Sequence, residues 1–340
     1  MKNIAFYDNN IIWYEDFIAL GGSETFLNEI SKRFSDFGYS VYIISKSATH
    51  DVPNYNVHFV NINDAVSFFE NIEIDIFIIF RSSKGLDDIY SKLKIKRTFA
   101  SYTTSKIDFI DDYYLSKIDG AFFVSEYCKY LFSEKSPILL DKKGFIIPNG
   151  VDDKLYSEKL PKRNMCVYSS QLSRGLKYAY YIYKIIKKSV PDFELVVCRP
   201  HYDTKDKYFK YIKDGVIFLG NLSKERLANI QKESKIWIYK SKVFETFCIT
   251  AMENIYADNV PLVTYNPGMN DYLDGFDLFY NSGYKLLNVP DEKIASDAIK
   301  VLTDDEYRLK LLDKLKPIKE RYSWDDVARQ FEDVLLPYYN

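Results

Sequence analysis

Two glutamates with seven residues between them, Glu245 and Glu253 in FETFCITAMEN, carry the spacing with the most chemical content in this 340-residue chain. On one continuous helix that step would separate the carboxylates by about 12 Å along the axis and about 80° around it. Acids that far apart cannot share one reacting atom, as a catalytic dyad does. They suit the two ends of one elongated ligand. Acids eight positions apart also arise by chance among 48 acidic residues, and a solvated helix with an acid near its positive end leaves the same trace. Context decides between these readings.

That context is a strand, a loop and a helix. In KSKVFETFCITAMENIYADNVPLVT a strand at 235–239 ends, a loop carries Glu245, and a helix starting near Phe247 runs to 257. Glu245 then stands at the sheet edge and Glu253 about two turns inside the helix, with the amides of Phe247 and Cys248 facing the same edge. No His–Asp set accompanies Cys248, which reads as packing rather than as a nucleophile. In SSQLSRGLKYAYYIYKIIKK, Arg174 and Lys177 fall at a helix start on the carboxyl edge of a sheet, where cations and free amides suit a diphosphate. Arg174 alone is equally readable as a surface charge, and Lys184, Lys187 and Lys188 as solvated later turns. Near the N-terminus, Gly21 and Gly22 precede a helix whose N-cap reads as Ser23. Paired glycines let backbone approach a phosphate or sugar oxygen closely, although an ordinary capped turn reads the same. The GxGxxG fingerprint is not matched, which disfavours dinucleotide binding.

The elements that must position these residues alternate between short apolar runs and helical-period stretches, the pattern of parallel sheets with crossover helices. In the first half strands fit 3–7, 40–45, 56–60, 74–80, 97–101, 120–124 and 144–147, with helices at 23–37, 64–71, 86–92 and 125–133. In the second, strands fit 165–169, 193–198, 215–219, 235–239 and 260–264. Helices there fit 174–188, 204–213, 223–233, 247–257, 291–302, 304–320 and 324–338. Length alone favours two domains, and Pro148, Asn149 and Gly150 in IIPNGVD mark the joint.

Composition narrows the function. A hydrophobic content of 47% with 28% charge is that of a soluble globular protein. A net charge of −2 gives no footprint for nucleic acid. Residues 1–150 carry 16 Lys/Arg against 20 Asp/Glu and the remainder 30 against 28, so an anionic ligand suits the second half. The scattered Cys128, Cys166, Cys198 and Cys248 read as reduced, buried thiols of a cytoplasmic protein. The opening MKNIAFYDNN reads as a first strand rather than a signal peptide, and three histidines without clustered cysteines make a zinc site improbable. The run KLKIKR at 92–97 reads as a solvated helix end, with anionic lipid at the inner face of a membrane as the other reading.

Five pieces in order, GGSETFLNEISKRFSDFGYSV, IIPNGVD, SSQLSRGL, VIFLGNLSKERL and FETFCITAMEN, resemble the family 4 retaining glycosyltransferases of the GT-B fold. The resemblance runs nearly end to end, and the closing RYSWDDVARQFEDVLLPYY resembles that family's final helix. It implies an α/β protein of two Rossmann-like, doubly wound domains facing across a cleft. Residues 1–155 would form an acceptor-side domain, 156–322 a nucleotide-sugar-binding domain, and 323–340 a crossover helix returning to the first. Glu245 and Arg174 would be the catalytic groups. Glu245 would hold the donor sugar with the helix-start residues Phe247, Cys248, Ile249 and Thr250, and Glu253 would take the ribose hydroxyls. Arg174, with Lys177, Gly21 and Gly22, would neutralise the diphosphate, and Gly220, Asn221 and Leu222 would cradle the base. The implied reaction moves a sugar from a UDP- or GDP-sugar to a hydroxyl of a glycan, lipid-linked or protein acceptor. No metal or other cofactor is implied, and no D-x-D motif is present. Acceptor residues would lie on loops 8–20, 81–86 and 102–116, with Trp13, Arg81, Tyr102 and Thr103 as candidates. Two departures stand out. The family's histidine after the strand at 97–101 is missing from FASYTTSKID, and no cation occurs in YSSQLS. They leave a non-catalytic partner subunit as the alternative; an epimerase or phosphorylase lacks any recognisable site.

Overall fold

The computed structural model describes residues 2–9, 21–104, 110–199, 215–280 and 288–339. The chain forms two compact units. One contains the first strand, residues 22–150 and the chain from Trp324 onward; the other contains Val151–Ser323.

Unit 1 holds β1 (Asn3–Tyr7), β2 (Ser40–Ser45), β3 (His50–Asp51), β4 (Val57–Asn61), β5 (Ile74–Phe80), β6 (Ile95–Tyr102), β7 (Gly120–Phe123) and β8 (Lys143–Ile146). Their order is β3-β4-β2-β1-β5-β6-β7-β8, all parallel except β3 against β4. SVYIIS and IDIFIIF are almost wholly buried because a central parallel strand is covered on both faces. The helices are α1 (Gly22–Asp36), α2 (Ala65–Phe68), α3 (Asp112–Leu115) and α4 (Glu126–Lys135). Ser125 caps α4, its hydroxyl accepting from the Cys128 amide at 2.9 Å.

Unit 2 holds β9 (Arg163–Tyr168), β10 (Glu194–Cys198), β11 (Ile217–Gly220), β12 (Ser234–Tyr239), β13 (Val260–Thr264) and β14 (Phe279–Tyr280), in the all-parallel order β11-β10-β9-β12-β13-β14. Its helices are α5 (Leu172–Ser189), α6 (Lys224–Glu233), α7 (Ile249–Tyr256), α8 (Asn270–Leu273), α9 (Asp291–Thr303) and α10 (Asp305–Lys319).

The last helix, α11 (Trp324–Leu335), belongs to unit 1. Trp324, Val327, Ala328, Phe331 and Leu335 form one buried stripe at helical spacing against α1. The Phe331 ring meets Phe26, Phe34 and Phe122, with centroids 6.2, 5.6 and 4.5 Å away. Arg33 Nε donates to Asp325 at 2.7 Å and the Tyr39 hydroxyl to Glu332 at 2.8 Å.

Three local expectations are corrected. The stretch 86–92 forms turns and a short 3-10 segment at Tyr90–Lys92 rather than a helix, and 64–71 shrinks to α2. Ser23 does not cap α1, which already starts at Gly22; its hydroxyl pairs with Thr103 Oγ1 at 2.8 Å. The helix expected at 204–213 lies outside the described residues.

Candidate functional site

Glu245 follows β12 by six residues and precedes α7 by four, so it lies in a loop and the separation computed for a continuous helix does not apply. Several groups fix it there. Its amide donates to Asn266 Oδ1 at 2.8 Å, and Asn266 Nδ2 donates to the Val243 carbonyl at 2.9 Å. Gly268 packs so closely that a Cβ would meet the Glu245 carbonyl at 2.0 Å, so only glycine fits. Tyr239, the last residue of β12, donates its hydroxyl to Glu245 Oε1 at 2.5 Å. Arg174 Nη1 donates to the same oxygen. Glu245 Oε2 has no hydrogen-bond partner among the described residues, so one oxygen is anchored and the other is offered.

Arg174 is placed by the start of α5. Gly175 lies against β12's end, where a Cβ would sit 2.4 Å from the Lys240 carbonyl, and its amide donates to the Tyr168 hydroxyl at 2.9 Å. The Arg174 carbonyl accepts from the Lys242 amide at 3.1 Å. Burial alone would disfavour its charge, but the Glu245 carboxylate and Tyr239 outweigh that and raise its pKa. Burial, then the Glu245 charge, pushes the Tyr239 hydroxyl and the Cys248 thiol well above their ordinary values, so both stay protonated.

The residues around this pair divide into contacts and packing. Cys248 occupies the N-cap position of α7 without a capping side chain, so the first amides, those of Ile249 and Thr250 included, lack intrahelical acceptors. Phe247 packs on Tyr272 and Tyr322, with centroids 5.4 and 6.2 Å away. Glu253 is half-buried in α7, and Gln231 Nε2 donates to its Oε2 at 3.3 Å. Burial raises the Glu253 pKa, while Gln231 and Lys224 act to lower it. Lys177 is not brought to Glu245; it is exposed on α5, 5.7 Å over the Tyr181 ring. At the end of β11, Gly220 has φ +71°, Asn221 is exposed, and Leu222 is buried against Met165, Val167, Val196 and Cys198. β11 lies three places from β12, so this end of the sheet is about 14 Å from the Tyr239 end.

Gly22 is exposed at the first position of α1, and Gly21 before it is half-buried. Arg81, at φ +66°, donates from Nε to the buried Asp8 at 2.6 Å and from Nη1 to Glu24 at 3.3 Å. Tyr102 is 3% exposed, stacked on Phe123 at 5.3 Å and tilted on Phe132 at 4.2 Å. This acceptor-side candidate packs in the core of unit 1. Thr103 is buried against Ser23. Trp13 lies outside the described residues. No group of three or more His, Cys, Asp or Glu side chains is placed to hold a metal among the described residues. No described helix is long and apolar enough to cross a membrane.

Sequence reasoning missed Tyr239, Asn266, Gln231 and Tyr156. Tyr239 alone had a usable signal, being the last residue of a strand whose carboxyl end carries the site.

Two parallel α/β units with a helix returning to the first define the class, a GT-B protein. Residues 152–316, nearly the whole of unit 2, match the family model of Glycosyl transferases group 1. Over those residues the chain is similar to the group 1 glycosyl transferases. The lipopolysaccharide 1,2-N-acetylglucosaminetransferase of Salmonella typhimurium is 24% identical over 244 residues, covering 64% of this chain and 61% of that protein. The chain thus spans about three-fifths of that curated relative. Sucrose-phosphate synthase of Thermosynechococcus elongatus superposes with a TM-score of 0.75 at 12% identity, covering 100% of this chain and 99% of that one. Anabaena HepE, in complex with UDP and glucose, gives 0.72 at 12% identity over 99% and 100% of the two chains.

Proposed function

We propose that this chain is a retaining, metal-independent glycosyltransferase that moves a sugar from a UDP- or GDP-sugar to an acceptor hydroxyl in the synthesis of a polysaccharide or other glycan. The observation that carries this reading is the Arg174–Glu245–Tyr239 cluster at the carboxyl ends of parallel strands, with Glu253 about one turn along the adjoining helix. A fixed guanidinium beside the free amides of a helix start stabilises a departing nucleoside diphosphate without rearranging as charge develops. In this reading Arg174 meets the diphosphate, the free oxygen of Glu245 meets a donor-sugar hydroxyl, and Glu253 meets the ribose. Gly220 and Asn221 stand at the base end, while Gly21, Gly22 and Lys177 are assigned to the donor on resemblance alone. Unit 1 supplies the acceptor side. The Salmonella relative is named for N-acetylglucosamine transfer and the HepE structure holds UDP and glucose, in keeping with this chemistry.

Thermal shift against uridine and guanosine diphosphates tests the binding step, because a donor-site ligand stabilises the folded state by linkage. Mass-spectrometric screening of UDP- and GDP-sugars with acceptor mixtures tests transfer. The product's anomeric configuration by NMR tests retention, and activity in excess EDTA tests metal independence. No shift with any nucleotide and no transfer would overturn the proposal.

A further inference from the structure

Glu253 is held from below by a buried polar chain. Gln231 of α6 is fully buried and donates to Glu253 Oε2. Its Oε1 accepts from the Tyr156 hydroxyl at 2.7 Å, and Tyr156 is itself 6% exposed. The order of this chain is chemically fixed. Turning the Gln231 amide over would set its oxygen against the carboxylate, whereas the hydroxyl donating to Oε1 keeps the NH2 toward Glu253. Glu253 Oε1 has no hydrogen-bond partner among the described residues.

A neutral amide orients a carboxylate without neutralising it, so the second oxygen remains a strong acceptor for a hydroxyl. We infer that Gln231 and Tyr156 are positioning residues that fix Glu253 to accept a ribose hydroxyl and thereby set a preference for ribonucleotides over deoxyribonucleotides. This rests on the donor-site reading above. A bound ligand without the hydroxyl would cover the offered oxygen and give it no partner, and a site built around such a bond rejects the analogue that lacks it.

The test is titration calorimetry of UDP, 2′-deoxy-UDP and 3′-deoxy-UDP, with the matching guanosine series, on the wild type, Gln231→Leu and Tyr156→Phe. The wild type is expected to bind one ribonucleotide about tenfold more tightly than one of its deoxy forms. Gln231→Leu should lose most of that ratio by weakening the ribonucleotide alone, with the deoxy form bound as before. Tyr156→Phe, which keeps the ring volume, should give an intermediate ratio and carries the test if Gln231→Leu does not fold. Folded variants that keep the full wild-type ratio overturn the inference. A wild type that binds ribo and deoxy forms equally also overturns it and leaves the donor-site reading standing. A wild type that binds no nucleoside diphosphate removes that reading as well.

Discussion

Glu245 and Glu253 are each anchored through one oxygen, yet by opposite means: a guanidinium and a phenol for the first, a neutral amide for the second. Different kinetic signatures follow. Glu245→Ala should lower kcat for sugar transfer about 100-fold with little change in donor KM, since it removes a contact that matters as the bond to the leaving group breaks. Glu253→Ala should raise donor KM about tenfold with kcat nearly kept. Equal, mild effects in a donor-transfer assay would reduce both acids to structural groups with no role toward the donor. Arg174→Met strips the charge partner from a buried carboxylate and should destabilise unit 2 by about 1–2 kcal/mol, the partial exposure of the arginine having discounted the figure for a buried pair. Adding Glu245→Gln should restore most of that loss in urea unfolding. Arg174 and Glu245 were legible in the sequence because charges beside strand ends announce themselves. Asn266 was not, because an ordinary amide gains its role only when folding brings it, from 21 residues away, onto the glutamate.

At the level of elements, α11 ties the end of the chain into unit 1 through one aromatic stripe. Phe331→Ala should cost about 3–5 kcal/mol, because the ring fills a site between Phe26, Phe34 and Phe122 that cannot collapse onto a methyl group. Glu332→Gln, which alters only a half-exposed bond to Tyr39, should cost well under about 1 kcal/mol; comparable losses in chemical denaturation would contradict this account. Long elements were legible: α1, α5, α9 and α11 bury stripes at helical spacing, and the central strands are unbroken apolar runs. Residues 86–92 misled because Leu86, Ile89 and Leu93 have helical spacing and are all buried, yet successive turns closed by Ser83 and Leu86 carbonyls achieve the same burial. β3 and β14 have two residues each, too few to leave any periodicity.

Across the whole molecule, buried titratable groups set how stability varies with pH. Lys162 donates to the carbonyls of Ser234 and Ala257 and to Asn259 Oδ1 at 2.6, 2.5 and 2.9 Å, and burial pulls its pKa from 10.5 to about 7. Lys319 is shifted in the same direction, again chiefly by burial. Between pH 7 and 10.5 the unfolded chain therefore keeps a proton on Lys162 that the folded chain has lost, so stability rises with pH by about 1.4 kcal/mol per unit from this amine. The thiols act in the opposite sense. Burial pushes Cys128, Cys166 and Cys198 from 9.0 up to about 12, and Cys248 well above its ordinary value. Above pH 9 the unfolded chain loses these protons while the folded chain keeps them, and stability falls by a similar amount per thiol. Buried tyrosines such as Tyr168, Tyr239 and Tyr272 join with the same sign above pH 10. Four thiols outweigh two amines, so the urea midpoint should climb from pH 7, peak between about 8 and 9, and drop steeply beyond. Lys162→Met should flatten the climb and leave the alkaline drop in place. A climb that survives in that variant would show that Lys162 is charged in the folded protein and that the rising limb has another source.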